Sequence, residues 1–314
     1  MRSGGFITAL FLSILLAWIF PAGPGHLPLE EISNIGIGLI FFFYGIKLSP
    51  SEFRSGFANY RVHLLIQMCT FVVFPLLTLM FIPLFEDGVR SELWLSLFFL
   101  SALPSTVSSS VVMVSMAKGN IPVAIFNASA SGLLGIFLTP LLMSVFLTGS
   151  AQFEFSTVLT KLFLQVILPL TLGLLLHASL FPFVHRNSKK ISFFDKSVIV
   201  LIAYISFCSA FDSKLFVRIP FEGLLLLCIL IVLLFLAIYS ISGYLGELLH
   251  LNRRDKISVR FCSSKKSLVH GSVMASIIFA NSPGSAIFLL PVMLYHTFQL
   301  LIISHLAQRY SRHS

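Results

Sequence analysis

Long apolar segments follow one another along almost the whole chain, and this pattern constrains the fold more than any other feature. A helix needs about 20 predominantly apolar residues to cross the roughly 30 Å hydrocarbon core of a bilayer. Segments of this kind lie at roughly residues 5–22, 32–49, 61–84, 92–117, 120–148, 157–183, 192–210, 221–247, 256–281 and 284–308. The loops between them are too short to hold another domain. We therefore predict an all-α polytopic membrane protein, with ten transmembrane helices in a single transmembrane domain over residues 1–314.

The composition excludes a soluble fold. Hydrophobic residues make up 57% of the chain and charged residues only 11%, and the mean hydropathy is +0.96, whereas a soluble domain of this size needs far more charge on its surface. The net charge of +9 does not indicate a nucleic-acid partner, because the basic residues lie in short loops rather than in one patch. The cysteines lie within apolar runs without metal-ligand spacing, so neither disulfides nor zinc are predicted.

Lysine and arginine residues are distributed unevenly between alternate loops. Most lie in loops on one side, whereas the opposite loops contain only Arg90, Lys161, Lys214 and Arg218. Because cytoplasmic loops carry the excess of Lys and Arg, this asymmetry predicts a multi-pass protein of the cell (inner) membrane with both termini in the cytoplasm. Two termini on one side require an even number of spans, which favours ten over nine or eleven.

Ten spans divide into two sets of five, about residues 1–150 and 151–314. Because five is odd, the second set must enter the membrane in the opposite orientation, so any repeat is inverted. A short similarity supports this division: VMVS at residues 112–115 and VMAS at residues 273–276 are each followed, at equal spacing, by an asparagine. Both motifs mark the fourth span of their half.

The fourth span of each half is poorly suited to an unbroken helix in lipid. In the second half, this span contains the polar run CSSKKSLVHG at residues 262–271. In the first half, Pro104 lies among hydroxyl-bearing residues, namely Ser101, Ser105, Thr106, Ser108, Ser109 and Ser110. A helix breaks at membrane depth only where protein or a water-filled cavity satisfies the freed backbone groups, and breaks in matching positions point to a transport site. The alternative is that these serines serve helix packing.

Lys265 and Lys266 are the cationic side chains that we place inside a span, apart from Lys47 near a helix end. A lysine at the bilayer centre costs about 2.5–3.5 kcal/mol on insertion scales, and it is rarely found there without a partner or a role. The alternative is that one or both side chains snorkel to an interface. We expect Lys266 to face a cavity, where it either attracts an anion or loses its proton through desolvation and carries protons.

The acidic residues lie in loops or near helix ends, so the predicted membrane core offers a sodium ion carbonyls and hydroxyls but no carboxylate. Ser263 and Lys265 have the composition of a serine–lysine nucleophile pair, but no oxyanion motif accompanies them in the sequence. The predicted spans also contain no acidic pair and no metal-ligand set. We therefore predict that the protein is not an enzyme and that it has no cofactor apart from a coupling ion, sodium or a proton.

The ninth span contains the motif FCSSKKSL at residues 261–268, followed by Gly271 and Met274. This run resembles the ninth-helix signature of the bile acid:sodium symporter (solute carrier 10) superfamily, and more specifically the branch of the seventh mammalian member and its bacterial relatives. The resemblance covers nearly the whole chain, because supporting segments extend from the third span to the tenth. They are His63–Gln67, Phe74–Pro75, Gly119–Asn120, Ala124–Asn127, Phe207–Cys208 and Leu294–His296.

The resemblance implies ten helices in two inverted repeats, a panel and a core domain, and fourth and ninth helices that are unwound where they cross. It also implies that organic anions are carried by alternating access. Sodium-coupled members bind their ions through hydroxyls and an asparagine on the fourth and fifth helices, and through a glutamate and a glutamine on the ninth. The counterparts of the first group in this chain are Ser108, Ser109, Ser110 and Ser131, and the last three of these are the expected neighbours of a sodium ion.

The ninth helix departs from the sodium-coupled pattern. Cys262 or Ser263 stands near the position of the glutamate, and Lys266 stands near that of the glutamine. The third-helix glutamine is replaced by Thr70, with Gln67 one turn away. The resemblance therefore supports the fold, whereas sodium coupling and bile-acid specificity do not follow from it.

The leading hypothesis is a secondary active transporter of a small organic anion, coupled to sodium or to protons. The predicted substrate and ion site comprises Gln67, Thr70, Thr106, Ser108, Ser109, Ser110, Asn127, Ser131, Cys262, Ser263, Lys265, Lys266 and Ser267. The alternative is a membrane regulator or leak pathway that keeps the fold without coupled transport, and the missing carboxylate in the core favours it. The predicted partners are the anion and the lipid bilayer, and the sequence leaves the substrate identity and the oligomeric state open.

Overall fold

The computed structural model describes residues 3–21, 28–48, 59–88, 91–106, 108–147, 155–212, 214, 221–279 and 285–312. Within these ranges the regular structure is helical throughout, with no strand. The α-helices are α1 (Ser3–Ile19), α2 (Leu29–Lys47), α3 (Tyr60–Met68), α4 (Phe74–Leu79), α5 (Glu92–Ala102), α6 (Ser108–Met116), α7 (Ile121–Leu147), α8 (Phe155–Leu162), α9 (Leu168–Leu175), α10 (His177–Arg186), α11 (Ser188–Asp212), α12 (Phe221–Leu248), α13 (Arg253–Ser263), α14 (Leu268–Ile278) and α15 (Ser285–Arg312). The described part of the chain is therefore all-helical, as the apolar pattern predicts.

Seven helices are long and apolar enough to cross a membrane, judged by length and composition over the described residues. They are Leu29–Lys47, Tyr60–Leu79, Ile121–Leu147, Ser156–Leu175, Ser188–Asp212, Phe221–Leu248 and Ala286–Tyr310. The predicted fourth and ninth spans are each divided between two shorter helices, and the apolar part of α1 is also short. These helices are those of a polytopic membrane protein, and the count of ten spans stays a prediction.

The structure differs from the sequence prediction around the sixth and seventh spans. The predicted span 157–183 ends as a helix at Leu175, because the backbone turns at Leu176 (φ −88°, ψ 5°) before α10 begins. The helix α11 starts before the predicted seventh span does. As a result Asp195, which we expected near a helix end, lies inside α11, and its carboxylate pairs with Lys47 Nζ at 3.6 Å.

Many large apolar side chains are exposed, and a set of polar side chains is fully buried beside the apolar core, which is unusual for a soluble protein. Met80 is 72% exposed and Leu175 is 75% exposed, whereas Thr70, Gln299 and Lys265 are fully buried. Lipid tails solvate an apolar side chain as well as a protein core does, so the burial of such side chains gains little. Polar groups, in contrast, must find partners inside the protein. This distribution is that of a chain whose solvent is lipid.

Two helical spans contain a π-helical turn that ends two residues before a proline. The turn Cys69–Val73 precedes Pro75, the second residue of α4, and the turn Phe163–Ile167 precedes Pro169, the second residue of α9. Because proline has no N–H and its ring crowds the preceding turn, the helix widens at such a place. In the first of these turns the N–H of Phe74 bonds to Cys69 O, five residues back.

The chain divides into two compact units, and each is described by itself. The first comprises Met1–Ser49, Leu147–Pro220 and Ser272–Leu289, and the second comprises Pro50–Phe146, Phe221–Gly271 and Leu290–Ser314. In the first unit, α2 and α9 approach so closely that a Cβ on Gly45 would collide with the backbone of Leu170. A Cβ on Gly173 would likewise collide with the backbone of Phe42, and small residues of this kind let membrane helices pack. The second unit contains both interruptions, and the part of α14 from Ser272 onward belongs to the first unit.

Candidate functional site

Both predicted interruptions are present, in the second unit. The chain leaves the helical conformation between α5 and α6, and again between α13 and α14. Pro104 explains the first break, because the residue before a proline avoids helical dihedrals, and Leu103 is extended (φ −73°, ψ 152°). The second break follows Ser264 (φ −88°, ψ 8°) and contains the two lysines, without a proline to cause it. The predicted unwinding of both segments is confirmed.

The two breaks contact each other through backbone and hydroxyl groups. The N–H of Ser267 donates to Pro104 O at 2.9 Å, and Ser105 Oγ donates to Cys262 O at 2.7 Å. The N–H of Ser105 donates to Ser131 Oγ on α7 at 2.9 Å. These bonds replace helical bonds that the breaks have removed, as buried backbone groups require.

Two polar side chains on α15 satisfy the backbone of the second break. The hydroxyl of Tyr295 donates to Ser264 O at 2.7 Å. The amide of Gln299 binds Lys266 on both sides: its Oε1 accepts the N–H of Lys266 at 2.9 Å, and its Nε2 donates to Lys266 O at 2.8 Å. Both side chains are fully buried. The break is therefore a defined structure rather than a frayed helix end.

The amine of Lys266 lies in a cage of three backbone carbonyls. Its Nζ donates to Thr70 O at 2.9 Å, to Ser101 O at 2.6 Å and to Leu103 O at 2.8 Å. The ring centroid of Phe74 lies 4.2 Å from the same nitrogen, well within the roughly 6 Å range of a cation–π contact. A protonated amine has three N–H donors and no acceptor. The cage uses all three of them, so none is left in this conformation for an anion.

Both lysines of the second break are buried in the protein. The exposed fraction is 0% for Lys265 and 1% for Lys266, so the snorkelling alternative is wrong. Lys265 lies near Cys262 and His296. The neighbouring Ser263 is also fully buried. The structure thus holds two adjacent lysines inside the second unit, and they have different surroundings.

The predicted hydroxyls at the first break are partly described. Thr106 Oγ1 and Ser110 Oγ lie 3.0 Å apart and share a hydrogen bond, and both residues are buried. Ser131 Oγ already accepts a backbone N–H. Ser108 and Ser109 form the first turn of α6, but their side chains lie outside the described part of the structure. The predicted sodium neighbours Ser110 and Ser131 are therefore both engaged with protein groups, and the sodium site stays a prediction.

The helices α6 and α14 both begin at a break, so the positive end of each helix dipole lies there. At the start of α14, Ser267 Oγ accepts the N–H of His270 at 3.3 Å and lies 3.1 Å from His270 Nδ1. A serine in this position satisfies one of the free N–H groups of a helix N-terminus. Ser267 therefore has a capping role in this structure, in addition to the site role that we predicted for it.

Gln67 and Asn127 form a polar cluster between α3 and α7. Gln67 Nε2 donates to Asn127 Oδ1 at 3.1 Å, and Asn127 Nδ2 donates to Val123 O at 3.0 Å and contacts His63 Nδ1. Thr70 lies one turn after Gln67, but its hydroxyl bonds to Ile66 O within its own helix. The structure thus links Gln67 with Asn127, while Thr70 joins the cage of Lys266 through its carbonyl alone.

A family model matches almost the whole of this chain. The matching model is that of the SBF-like CPA transporter family, and it covers residues 4–312. The chain belongs to this family. The resemblance to the bile acid:sodium symporter superfamily is therefore confirmed, and members of the SBF-like family are transporters rather than enzymes.

Full-length relatives support the same assignment. A Pseudomonas aeruginosa protein, "Uncharacterized protein PA2026", is 40% identical over 98% of this chain and 92% of its own length. The Escherichia coli K12 protein "Putative symporter YfeH" is 34% identical over 98% of this chain and 92% of its own length. The "Sodium/bile acid cotransporter 7" of Rattus norvegicus is 29% identical over 96% of this chain and 91% of its own length.

The structure of this SBF-like protein also reveals site residues that the sequence reasoning did not select. Gln299 and Tyr295 hold the second break, and Phe74 faces the Lys266 amine. A signal for Gln299 exists in the sequence, because an amide inside an apolar span must find a partner there. The carbonyls of Ser101 and Leu103 carry no such signal, since every residue has a carbonyl group.

A further polar cluster fixes the start of α13. Asp255 accepts hydrogen bonds from Asn120 Nδ2 at 2.7 Å and from Asn252 Nδ2 at 2.6 Å. The side chain of Asn252 in turn accepts the N–H of Asp255 at 2.9 Å, and Ser258 Oγ donates to Asn120 O at 3.0 Å. These bonds attach the helix before the second break to the turn between α6 and α7.

Proposed function

We propose that this SBF-like protein is a secondary active transporter that moves a small organic anion across the cell (inner) membrane by alternating access. In this proposal ten spans form two inverted five-helix repeats, both termini are cytoplasmic, and sodium or protons drive the flux. The observation that carries the proposal is the contact between two interrupted helical segments at a place where two lysines are buried. Paired broken helices of this kind form the substrate sites of secondary transporters.

The charges at the breaks favour an anion. Lys265 and Lys266 contribute positive charge, and the N-termini of α6 and α14 add the positive ends of two helix dipoles. Half-helix N-termini bind the anionic groups of substrates in broken-helix transporters. Because the cage occupies the donors of Lys266, we assign the direct contact with the anion to Lys265, to the N–H groups at the two helix starts, and to the hydroxyls of Thr106 and Ser110.

Other observations support transport of a solute with an ion. Gln67 Oε1 is buried without a hydrogen-bond partner among the described residues, so this oxygen can accept a bond from a substrate hydroxyl or a hydrated ion. The rat relative is named for sodium and bile acid, and the Escherichia coli relative is named a symporter. We extend to this chain the movement of an organic anion with a coupling ion, and not the choice of bile acid.

A ligand screen tests the binding half of this proposal. Purified protein is heated with a panel of carboxylates, sulfonates, sulfate esters and phosphate esters, because a ligand at about 100 times its Kd adds about 2.7 kcal/mol of stability to the folded state. We expect at least one class to raise the unfolding temperature of the wild type and of the control Lys190→Ala, which alters an exposed lysine. Lys265→Met should lose most of that shift. If a ligand raises the unfolding temperature of Lys265→Met as much as that of the wild type, the anion binds elsewhere. If no anion raises the unfolding temperature of the wild type, the proposal is contradicted.

A membrane regulator or leak pathway is the second candidate. The observation in its favour is that the charged side chains buried at the breaks are both lysines, so the described residues there provide no carboxylate for a coupling cation. This candidate predicts that proteoliposomes dissipate an imposed ion gradient without accumulating any anion. The transporter proposal predicts accumulation against the concentration gradient of the anion.

A further inference from the structure

The three carbonyls around Lys266 Nζ are each freed by a local feature of the backbone. After the bond from Phe74 to Cys69 O, the next bond in the π register would run from residue 75 to Thr70 O, but Pro75 has no N–H. The next helical bond at the end of α5 would run from Ser105 to Ser101 O, but that N–H donates to Ser131.

The carbonyl of Leu103 lies beyond the last turn of α5, in the break itself. The carbonyls at a helix C-terminus have no partner within the helix and carry the negative end of its dipole. Three oxygens that have no backbone donor among the described residues therefore converge on one point inside the second unit, at 2.6–2.9 Å from Lys266 Nζ.

A buried ring of carbonyl oxygens is a site for a cation. Such oxygens replace the hydration shell of a monovalent metal ion in channels and transporters. The face of Phe74 adds an attractive surface for positive charge. Since a neutral amine has only two N–H donors, one of the three carbonyls would then face a lone pair. Three short contacts therefore fit the charged ammonium form.

We propose that the Lys266 ammonium is a built-in cation, which takes the place of a monovalent metal ion in this carbonyl cage and completes it without sodium. Lys266 then acts as a permanent positive charge that joins the third span to the break after α5. The consequence for coupling rests on the proposed transport function, whereas the occupancy of the cage by the ammonium does not.

The backbone of Lys266 is held as firmly as its amine. The amide of Gln299 binds both the N–H and the carbonyl of this residue, so the point from which the lysine side chain reaches the cage is fixed as long as the second break keeps its conformation. A dissociable sodium ion has no such attachment. Because the ammonium is covalently attached to the chain, it cannot be released on either side of the membrane, and the ion that drives transport binds elsewhere or is a proton.

Four proteins are compared by thermal unfolding in detergent, at fixed ionic strength, with N-methylglucamine replaced stepwise by sodium. Lys266→Ala removes the amine and leaves room for an ion with water. Lys266→Met removes the amine but fills the space with an apolar chain. Wild-type protein and Lys190→Ala are the references, because Lys190 is exposed and distant in sequence. Methylammonium is tested beside sodium as a free substitute for the missing amine.

We expect both Lys266 variants to unfold several degrees below the wild type without sodium. Sodium or methylammonium should then restore Lys266→Ala in a saturable way and leave Lys266→Met unchanged beyond any shift that the wild type also shows. An equal response of the two variants overturns the proposal. The proposal is also overturned if Lys266→Met can be purified but Lys266→Ala cannot be purified in sodium or in methylammonium. If neither Lys266→Ala nor Lys266→Met can be purified, Lys266→Gln, which is polar and shorter by one bond, replaces Lys266→Ala in the test. Sodium or methylammonium should then raise its unfolding temperature in a saturable way, and the absence of such a rise overturns the proposal.

This measurement requires no transport, so its failure is distinguishable from failure of the proposed function. In proteoliposomes we also expect transport by Lys266→Ala to require sodium in addition to the gradient that drives transport by the wild type.

Discussion

The clamp that Gln299 forms on the second break can be tested directly with Gln299→Leu. The substitution places an apolar side chain of similar volume on α15 and removes the acceptor for the N–H of Lys266 and the donor to its carbonyl, which lie at 2.9 Å and 2.8 Å. It also removes the bond from Gln299 Nε2 to His296 Nδ1 at 2.9 Å. Two buried backbone groups of Lys266 are then left without partners.

The size of the effect follows from these two groups. Hydrogen bonds between membrane helices contribute about 0.6 kcal/mol on average and up to about 1.7 kcal/mol. A buried backbone group that loses its partner costs about 1–3 kcal/mol. Since Gln299 and Lys266 are 0% and 1% exposed, water does not replace the lost bonds. We therefore expect Gln299→Leu to lower the free energy of unfolding by about 2–3 kcal/mol.

The control is Thr297→Val on the same helix. Its hydroxyl donates only to Met293 O within α15, at 3.0 Å, so the loss should be about 0.5 kcal/mol or less. Both variants are compared with the wild type by equilibrium unfolding in mixed micelles of increasing SDS content. If Gln299→Leu unfolds at the same SDS content as Thr297→Val, the clamp does not stabilise the break, and the reasoning is refuted.

Three further predictions concern other contacts. Gly45→Ala should lower the free energy of unfolding by about 3 kcal/mol or more, because its Cβ would meet the backbone of Leu170. Gly38→Ala on the same helix should be tolerated, since its Cβ would lie 3.7 Å from Pro169, and the yield of folded protein and the unfolding temperature measure the difference. Asp255→Ala should lower the free energy of unfolding by about 1–3 kcal/mol, because Asn120 and Asn252 lose their acceptor, and Glu86→Ala in an exposed turn should have no measurable effect. Asn127→Ala should cost about 1–2 kcal/mol through the loss of its bonds to Gln67, His63 and Val123, and equal stability of this variant and the wild type would contradict the importance of the cluster.

The sequence predicts the interruptions well because their causes are local. Pro104 removes a backbone donor and restricts the backbone dihedrals of Leu103. The serines and lysines around Lys266 are polar or charged, so an unbroken helix that exposed them to lipid would be costly. Both breaks occur where these residues stand. The burial of Lys266 also follows from its central position in the span, and the snorkelling alternative fails on its 1% exposure.

The partners of Lys266 are not predictable in the same way. We expected Thr70 to act through its position as a glutamine counterpart, and the structure uses its carbonyl instead. Backbone carbonyls are present at every residue, so only the three-dimensional path shows which ones Pro75 and the end of α5 leave free. The link between His63 and Asn127 is likewise non-local, and a lone histidine in an apolar span gives no indication of its partner.

Uptake into proteoliposomes is the decisive test of the proposal that this SBF-like protein carries an organic anion. Labelled anions selected by the ligand screen are offered under a sodium gradient, a pH gradient and no gradient, with empty liposomes and Lys265→Met as controls. We expect one gradient to drive accumulation of an anion above its external concentration, and Lys265→Met to abolish this accumulation. If no anion accumulates under either gradient while the protein is folded and inserted, the protein is not a transporter of organic anions.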